Sequence, residues 1–244
     1  MNIVLIIILF GLVVLITHLL EGITGFGCTV LALPFCIMLV GLKTAVPSLI
    51  ILAWILTLYI IIVDHKNIVW RQYFKILAFA LLGLPIGLVL FSYMSESILK
   101  FILGIFMILV SIRGIYINFG GKHLQKKIPG FVLNIVLILG GLIHGAFGSG
   151  GPLVVVYATE NLTKKSNFRA TLCMLWFTLN TIILVKDLFT SIITLPVLKI
   201  SLFSLPFLVV GMILGNNYHS KFSDKTFHKM IYIVLLISGI FMFI

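Results

Sequence analysis

Six long stretches of this chain carry no Asp, Glu, Lys or Arg: residues 1–20, 22–42, 44–63, 76–95, 128–159 and 200–220. A hydrocarbon core of roughly 30 Å is crossed by about 20 helical residues, so most of these runs are long enough to span a bilayer. Only 9% of the 244 residues are charged while 61% are apolar, and the mean hydropathy is +1.29. A soluble globular fold cannot hide that much apolar surface. The chain therefore reads as an all-α polytopic membrane protein with no room for a separate soluble domain.

Ten apolar segments follow, at roughly 3–20, 26–42, 45–63, 73–93, 97–118, 130–144, 151–162, 167–186, 194–217 and 226–244. Two are poor spans: Pro34 interrupts the second, and the seventh has about a dozen residues. Half-helices are expected there. The formal charge of +11 comes from 17 Lys and Arg scattered over short connections, which argues for membrane topology rather than nucleic acid. Odd-numbered connections hold Lys66, Arg71, Lys75, Arg113, Lys122, Lys126, Lys127, Lys164, Lys165, Arg169, Lys221, Lys225 and Lys229; even-numbered ones hold only Lys43, Lys100, Lys186 and Lys199. This asymmetry predicts odd connections in the cytoplasm and both termini outside a cytoplasmic membrane. Met1-Asn2-Ile3 has no basic stretch before its apolar run, so a membrane segment is expected there rather than a cleaved signal.

The chain repeats itself. Gly22, Gly25 and Gly27 recur 123 residues later as Gly145, Gly148 and Gly150, and the same offset pairs Trp54 with Phe177 and Asp64 with Asp187. An offset of 128 pairs Gly83 and Gly87 with Gly211 and Gly215. The expected organisation is a first transmembrane repeat (1–118), a basic linker (119–129) and a second repeat (130–244). Each repeat holds a glycine-broken helical pair or hairpin plus three transmembrane helices. Five segments per half, or a hairpin plus three spans, place the halves in opposite orientations as inverted repeats.

The two glycine motifs are the sharpest chemical features. Leu20-Glu21-Gly22-Ile23-Thr24-Gly25-Phe26-Gly27 and His144-Gly145-Ala146-Phe147-Gly148-Ser149-Gly150-Gly151-Pro152 interrupt apolar segments with residues that disfavour helix. Irregular backbone at membrane depth is tolerated only where protein or a water-lined cavity satisfies it. A helix that restarts after such a break, with Pro152 suited to its first turn, aims the positive end of its dipole at whatever occupies the break. Two such breaks meeting near the midplane favour an anion, and packing through small residues is the plainer alternative. Glu21 and His144 stand at equivalent positions before the motifs and are the proton-coupling candidates. For these and for His18, interfacial or packing roles stay open.

These glycine breaks, the Lys164-Lys165-Ser166-Asn167-Phe168-Arg169-Ala170-Thr171 stretch and Asn180 resemble the sulfite exporter TauE/SafE family, also called the toluene sulfonate uptake permeases. The resemblance covers essentially the whole chain and implies transport of small organic or sulfur-containing anions such as sulfite, a sulfonate or sulfoacetate. Cys28-Thr29 and Val46-Pro47-Ser48 depart from the commonest pattern, which bears on the substrate more than on the fold. The expected substrate-binding set is Gly22, Thr24, Gly25, Gly27, Gly145, Gly148, Ser149, Gly150, Arg169 and Asn180. Arg169 is the candidate cation because a guanidinium forks onto two oxygens, although it also serves as a positive-inside flank. Asn180, eleven residues on, shares its helix face. Thr171 and Ser48 are candidate neutral partners in the same cavity. Lys186 with Asp187, and Asp64 with His65 and Lys66, read as interfacial pairs.

Other classes find less support. Cys28, Cys36 and Cys173 form no metal-ligand spacing, no P-loop occurs, and no cofactor is expected. A cation carrier centred on Glu21 is the alternative within transport. A membrane-embedded enzyme, for which Ser149 near His144 is the one suggestive pair, is the alternative outside it.

Overall fold

The computed structural model describes residues 3–118, 129–162 and 164–219, together with Tyr232, Leu236, Ile237, Gly239, Ile240 and Phe243. All of the linker but its last residue and most of the tenth segment lie outside the described residues. Nine α-helices run through the described part: α1 (Ile3–Thr24), α2 (Cys28–Val40), α3 (Leu42–Asp64), α4 (Trp70–Tyr93), α5 (Glu96–Asn118), α6 (Gly130–Phe147), α7 (Gly151–Asn161), α8 (Lys165–Phe189) and α9 (Leu195–Tyr218). No strand occurs among the described residues. Seven helices, all but α2 and α7, are long and apolar enough to cross a membrane, α3 with the His65–Asn67 turn that continues it. The protein is thus an all-α polytopic membrane protein. Ile3, Ile16, Met38, Leu82, Phe131 and Leu202 are among the large apolar side chains left exposed, an arrangement that suits lipid rather than water.

The two short helices are where the sequence led one to expect them, with one correction. Pro34 lies inside continuous α2 and does not interrupt it; the interruption is at residues 25–27. A proline removes one N–H and crowds one carbonyl, whereas Gly25 and Gly27 take positive φ and turn the chain. With about 1.5 Å rise per residue, α2 and α7 extend only ~20 Å and ~16 Å.

Helix pairing follows glycine seams. On α9, a Cβ at Gly211 would lie 2.6 Å from Leu15 O and one at Gly215 would lie 2.6 Å from Leu19 O. Gly83 and Gly87 of α4 meet Ile138 O and Leu142 O of α6 still more closely. Residue numbers rise together along both seams, so α9 runs parallel to α1 and α4 runs parallel to α6. In contrast α3 and α8 are antiparallel: Trp54 stacks on Phe177 with centroids 5.2 Å apart, while Asp64 reaches Arg169. Small residues let these backbones approach closely, which is how apolar helices associate where no water can drive them together.

Candidate functional site

At the end of α1 the chain turns through Gly25 (φ 84°) and Gly27 (φ 104°) before α2 begins. The Gly25 N–H donates to Glu21 O at 2.6 Å, the last bond of α1. Thr24 Oγ1 lies 2.8 Å from Leu20 O and 2.9 Å from Phe26 O, so its hydroxyl proton serves carbonyls on both sides of the turn. Glu21 spans the break: its Oε2 accepts the Cys28 N–H at 2.7 Å, satisfying a free donor at the start of α2.

The second break is built alike. Gly148 (φ 63°) ends α6, its N–H donating to His144 O at 2.6 Å. The Gly150 N–H then donates back to His144 Nδ1 at 3.4 Å. With Nδ1 accepting, the ring proton sits on Nε2, which donates to Asn180 Oδ1 at 3.0 Å. Glu21 and His144, equivalent in sequence, thus do equivalent work, each holding a backbone N–H beyond its own break.

Helix α8 steadies both breaks from one face. Trp176 Nε1–H donates to Gly25 O at 3.0 Å, and its ring stacks on His144 at 5.2 Å. One turn later Asn180 holds His144. Between the breaks lies a cavity of about 20 Å³, room for one ordered water. Its polar lining is Glu21, Thr29, His144, Ser149, Trp176 and Asn180, and Gly27, Val30, Ala53, Gly148 and Gly151 complete it. Ser149 Oγ is buried there without a hydrogen-bond partner among the described residues. A buried hydroxyl left unpaired is costly and calls for a ligand or water. Ser149 Oγ and His144 make no hydrogen bond to each other.

The model of the family described as Sulfite exporter TauE/SafE matches residues 9–242, almost the whole chain. The chain belongs to the sulfite exporter TauE/SafE family. No curated protein and no solved structure matches it. Family membership makes the protein a multi-pass membrane transporter of the anion-exporter type.

For a TauE/SafE chain, the residues nominated from sequence fall into two groups. Gly27, Gly148, Ser149 and Asn180 line the cavity, as do Glu21 and His144. The others surround it. Gly22 packs on Gly215, with a Cβ there 3.1 Å from Gly215 Cα; Gly145 packs on Leu84 and Gly87; Gly25 packs on Arg169; and Thr24 and Gly150 bond within the breaks. Arg169 lies outside the lining. Its Nη2 and Nε donate to Asp64 Oδ2 at 2.9 and 3.2 Å, and its Nη1 donates to Gly22 O at 3.0 Å and Asn216 Oδ1 at 3.2 Å.

Asp64 accordingly pairs across helices with Arg169 and not with its neighbours His65 and Lys66, while Lys186 does bond Asp187 at 3.1 Å. Thr171 and Ser48 make bonds between elements, to Val69 N–H and Val197 O. His18 donates through Nδ1 to Val14 O and buries Nε2 without a partner among the described residues, away from the cavity.

Sequence reasoning missed Thr29, Val30, Ala53, Gly151 and Trp176 as lining residues. A signal existed for two of them. Trp176 precedes Asn180 by one helical turn, and Ala53 precedes Trp176 by 123 residues, the offset that relates the glycine motifs.

Proposed function

We propose that this protein carries a small oxyanion, of the sulfite, sulfonate or sulfoacetate class, across the cytoplasmic membrane by alternating access between two inverted repeats, residues 1–118 and 130–244. The observation that carries the reading is the meeting of both glycine breaks at one small cavity, where an unpartnered serine hydroxyl lies beside the first turns of α2 and α7. Those first turns supply partial positive charge, and Ser149 supplies a neutral donor. Helix pairing supports the inverted arrangement. The first helix of each half packs parallel to the fourth of the other, and the third helices run antiparallel.

A space for one water is too small for a sulfur oxyanion, so in this reading the site widens to load substrate. Glu21 sets the coupling: an ionised carboxylate repels an anion in the same low-dielectric cavity, so loading goes with a proton on Glu21 or His144. In this reading Gly22, Thr24, Gly25, Gly145 and Gly150 shape the breaks, and Asp64 holds Arg169 out of the cavity. The excess of Lys and Arg in odd-numbered connections puts those connections in the cytoplasm and both termini outside.

The test is charge movement in proteoliposomes on rapid exchange to sulfite, sulfate, sulfoacetate, acetate or chloride at two pH values, with isotope counterflow to detect electroneutral cycles. A saturable signal for one anion class supports the reading; silence in both assays overturns it. One observation favours a cation carrier as the second reading: Glu21 lines the cavity whereas Arg169 is engaged elsewhere. Glu21→Gln separates the two. It abolishes substrate binding if a cation is carried, and leaves anion binding intact while removing its pH dependence.

A further inference from the structure

One side of the cavity is closed by a buried ion pair between two helices, matched on the other side by no interhelical ion pair among the described residues. Arg169 opens α8, and Asn180 lies eleven residues, about 16 Å, deeper on the same helix. Asp64 closes α3, and Ala53 of the cavity lies eleven residues back from it. The Arg169–Asp64 pair therefore sits outside the lining on the side that carries the α3–α4 and α7–α8 connections, its guanidinium bonded to Gly22 O next to the lining residue Glu21. Between the two lies the first break. Gly25 packs so tightly that a Cβ would stand 2.7 Å from Arg169 Cα, its carbonyl takes the Trp176 indole N–H, and Phe26 meets Phe168 edge-on at 6.1 Å.

Four bonds from one guanidinium join four elements: α8 itself, α3 through Asp64, the α1 end through Gly22 O, and α9 through Asn216. Both charged side chains are largely buried, at 5% and 12% exposure. The offset of 123 places Val46 opposite Arg169 and Asp187 opposite Asp64. Val46 is buried and apolar, and Asp187 bonds the adjacent Lys186 on its own helix, whose ammonium in turn donates to Ser92 Oγ of α4 at 3.4 Å.

We propose that the Arg169–Asp64 pair, with Gly22 O and Asn216, is an ionic gate that closes the cavity toward the face bearing the α3–α4 and α7–α8 connections. The proposal rests on the alternating-access reading of the cavity. Its physical logic is that a buried ion pair is directional yet contributes little net stability, because desolvation offsets most of the attraction. When water enters from that face both charges rehydrate, so the gate opens at modest cost and closes in one geometry.

The test reads accessibility rather than transport. In a background carrying Cys28→Ala, Cys36→Ala and Cys173→Ala, the cavity reporter Ser149→Cys is reacted in proteoliposomes with a membrane-impermeant methanethiosulfonate added to either face. Asp64→Asn combined with Arg169→Gln removes both charges at once and leaves no unpaired ion. The expected result is a rise of about tenfold or more in labelling rate from the connection face, a shift of about 1.4 kcal/mol in the open–closed equilibrium, with no rise from the other face. An unchanged rate, or an equal rise from both faces, overturns the gate. Should the double variant not purify as a monodisperse species, Arg169→Lys decides: it keeps the charge but loses the fork to Gly22 O and Asn216, and a rise confined to the same face is expected, a rise absent or two-sided being the overturning result. A reporter that reacts from neither face under any substrate gradient refutes alternating access itself, which distinguishes that failure from failure of the gate.

Discussion

Substituting alanine at four glycines of the breaks separates the cost of backbone conformation from the cost of crowding, because their surroundings differ in kind. At Gly151 the φ is ordinary and the nearest atom to a Cβ is Phe26 Cδ2 at 3.5 Å, normal contact, so Gly151→Ala should shift stability by no more than about 0.5 kcal/mol. Gly27 has φ 104° but an open neighbourhood, Leu31 Cδ1 at 3.9 Å, so Gly27→Ala carries only the left-handed penalty of about 1–2 kcal/mol. Gly148 (φ 63°) adds the Ile50 side chain at 2.7 Å, which can rotate away, and falls slightly above Gly27. Gly25 (φ 84°) adds the Arg169 backbone, Cα at 2.7 Å and O at 3.1 Å, which cannot. There the conformational penalty joins an overpacking cost of about 1–3 kcal/mol, for a total near 2–5 kcal/mol. The assay is unfolding in mixed micelles as the SDS mole fraction is raised, with folded fraction followed by tryptophan fluorescence. The expected order of damage is Gly25, Gly148, Gly27, Gly151. Equal midpoints for Gly25→Ala and Gly151→Ala would refute the reasoning, since they would mean that neither the positive φ nor the contact with α8 constrains the break.

Four further outcomes follow from the same geometry. Ser149→Ala removes a hydroxyl that has no hydrogen-bond partner among the described residues, so stability should hold while anion affinity falls by about 1.5–3 kcal/mol, roughly ten- to hundredfold in Kd by calorimetry. Trp176→Phe keeps an aromatic ring over His144 but leaves the buried Gly25 carbonyl without its donor, and a loss of about 1–3 kcal/mol is expected in the micelle assay. Glu21→Gln retains an oxygen to accept the Cys28 N–H, so the fold should survive while the pH dependence of anion uptake flattens; uptake that keeps its full pH profile would remove Glu21 from coupling. His219, just beyond α9, donates through Nδ1 to Ile23 O at 2.6 Å, and burial pushes its imidazole below the ordinary value of 6.5 despite that bond. The folded chain therefore binds this proton less readily than the unfolded chain, stability should decline as pH falls below about 6.5 and level off once the folded imidazole protonates, and His219→Gln should blunt that decline in thermal unfolding curves.

Much of this architecture is written in local sequence. Charge-free runs of about 20 residues dictate membrane helices because lipid offers the backbone no partners, so each segment must satisfy its own hydrogen bonds. Glycine clusters followed by Pro152 mark a break within a few residues of its place, because a positive φ is a property of the residue itself. The offset of 123 was enough to place Glu21 beside His144 in kind, and both line the cavity. What local sequence could not decide was which faces meet. Arg169 reads equally well as an anion ligand, a topological flank or half of an ion pair, and only the antiparallel packing of α3 on α8 brings Asp64, 105 residues away, to its guanidinium. Pro34 looked like the helix breaker until the turn at Gly25 and Gly27 took that role. Trp176 joined the site because α8 passes both breaks and its indole reaches the Gly25 carbonyl. Segment length and backbone freedom are set residue by residue, whereas the partner of a buried charge and the walls of a cavity are set by contacts between segments far apart in the chain, and those exist only once the helices have packed.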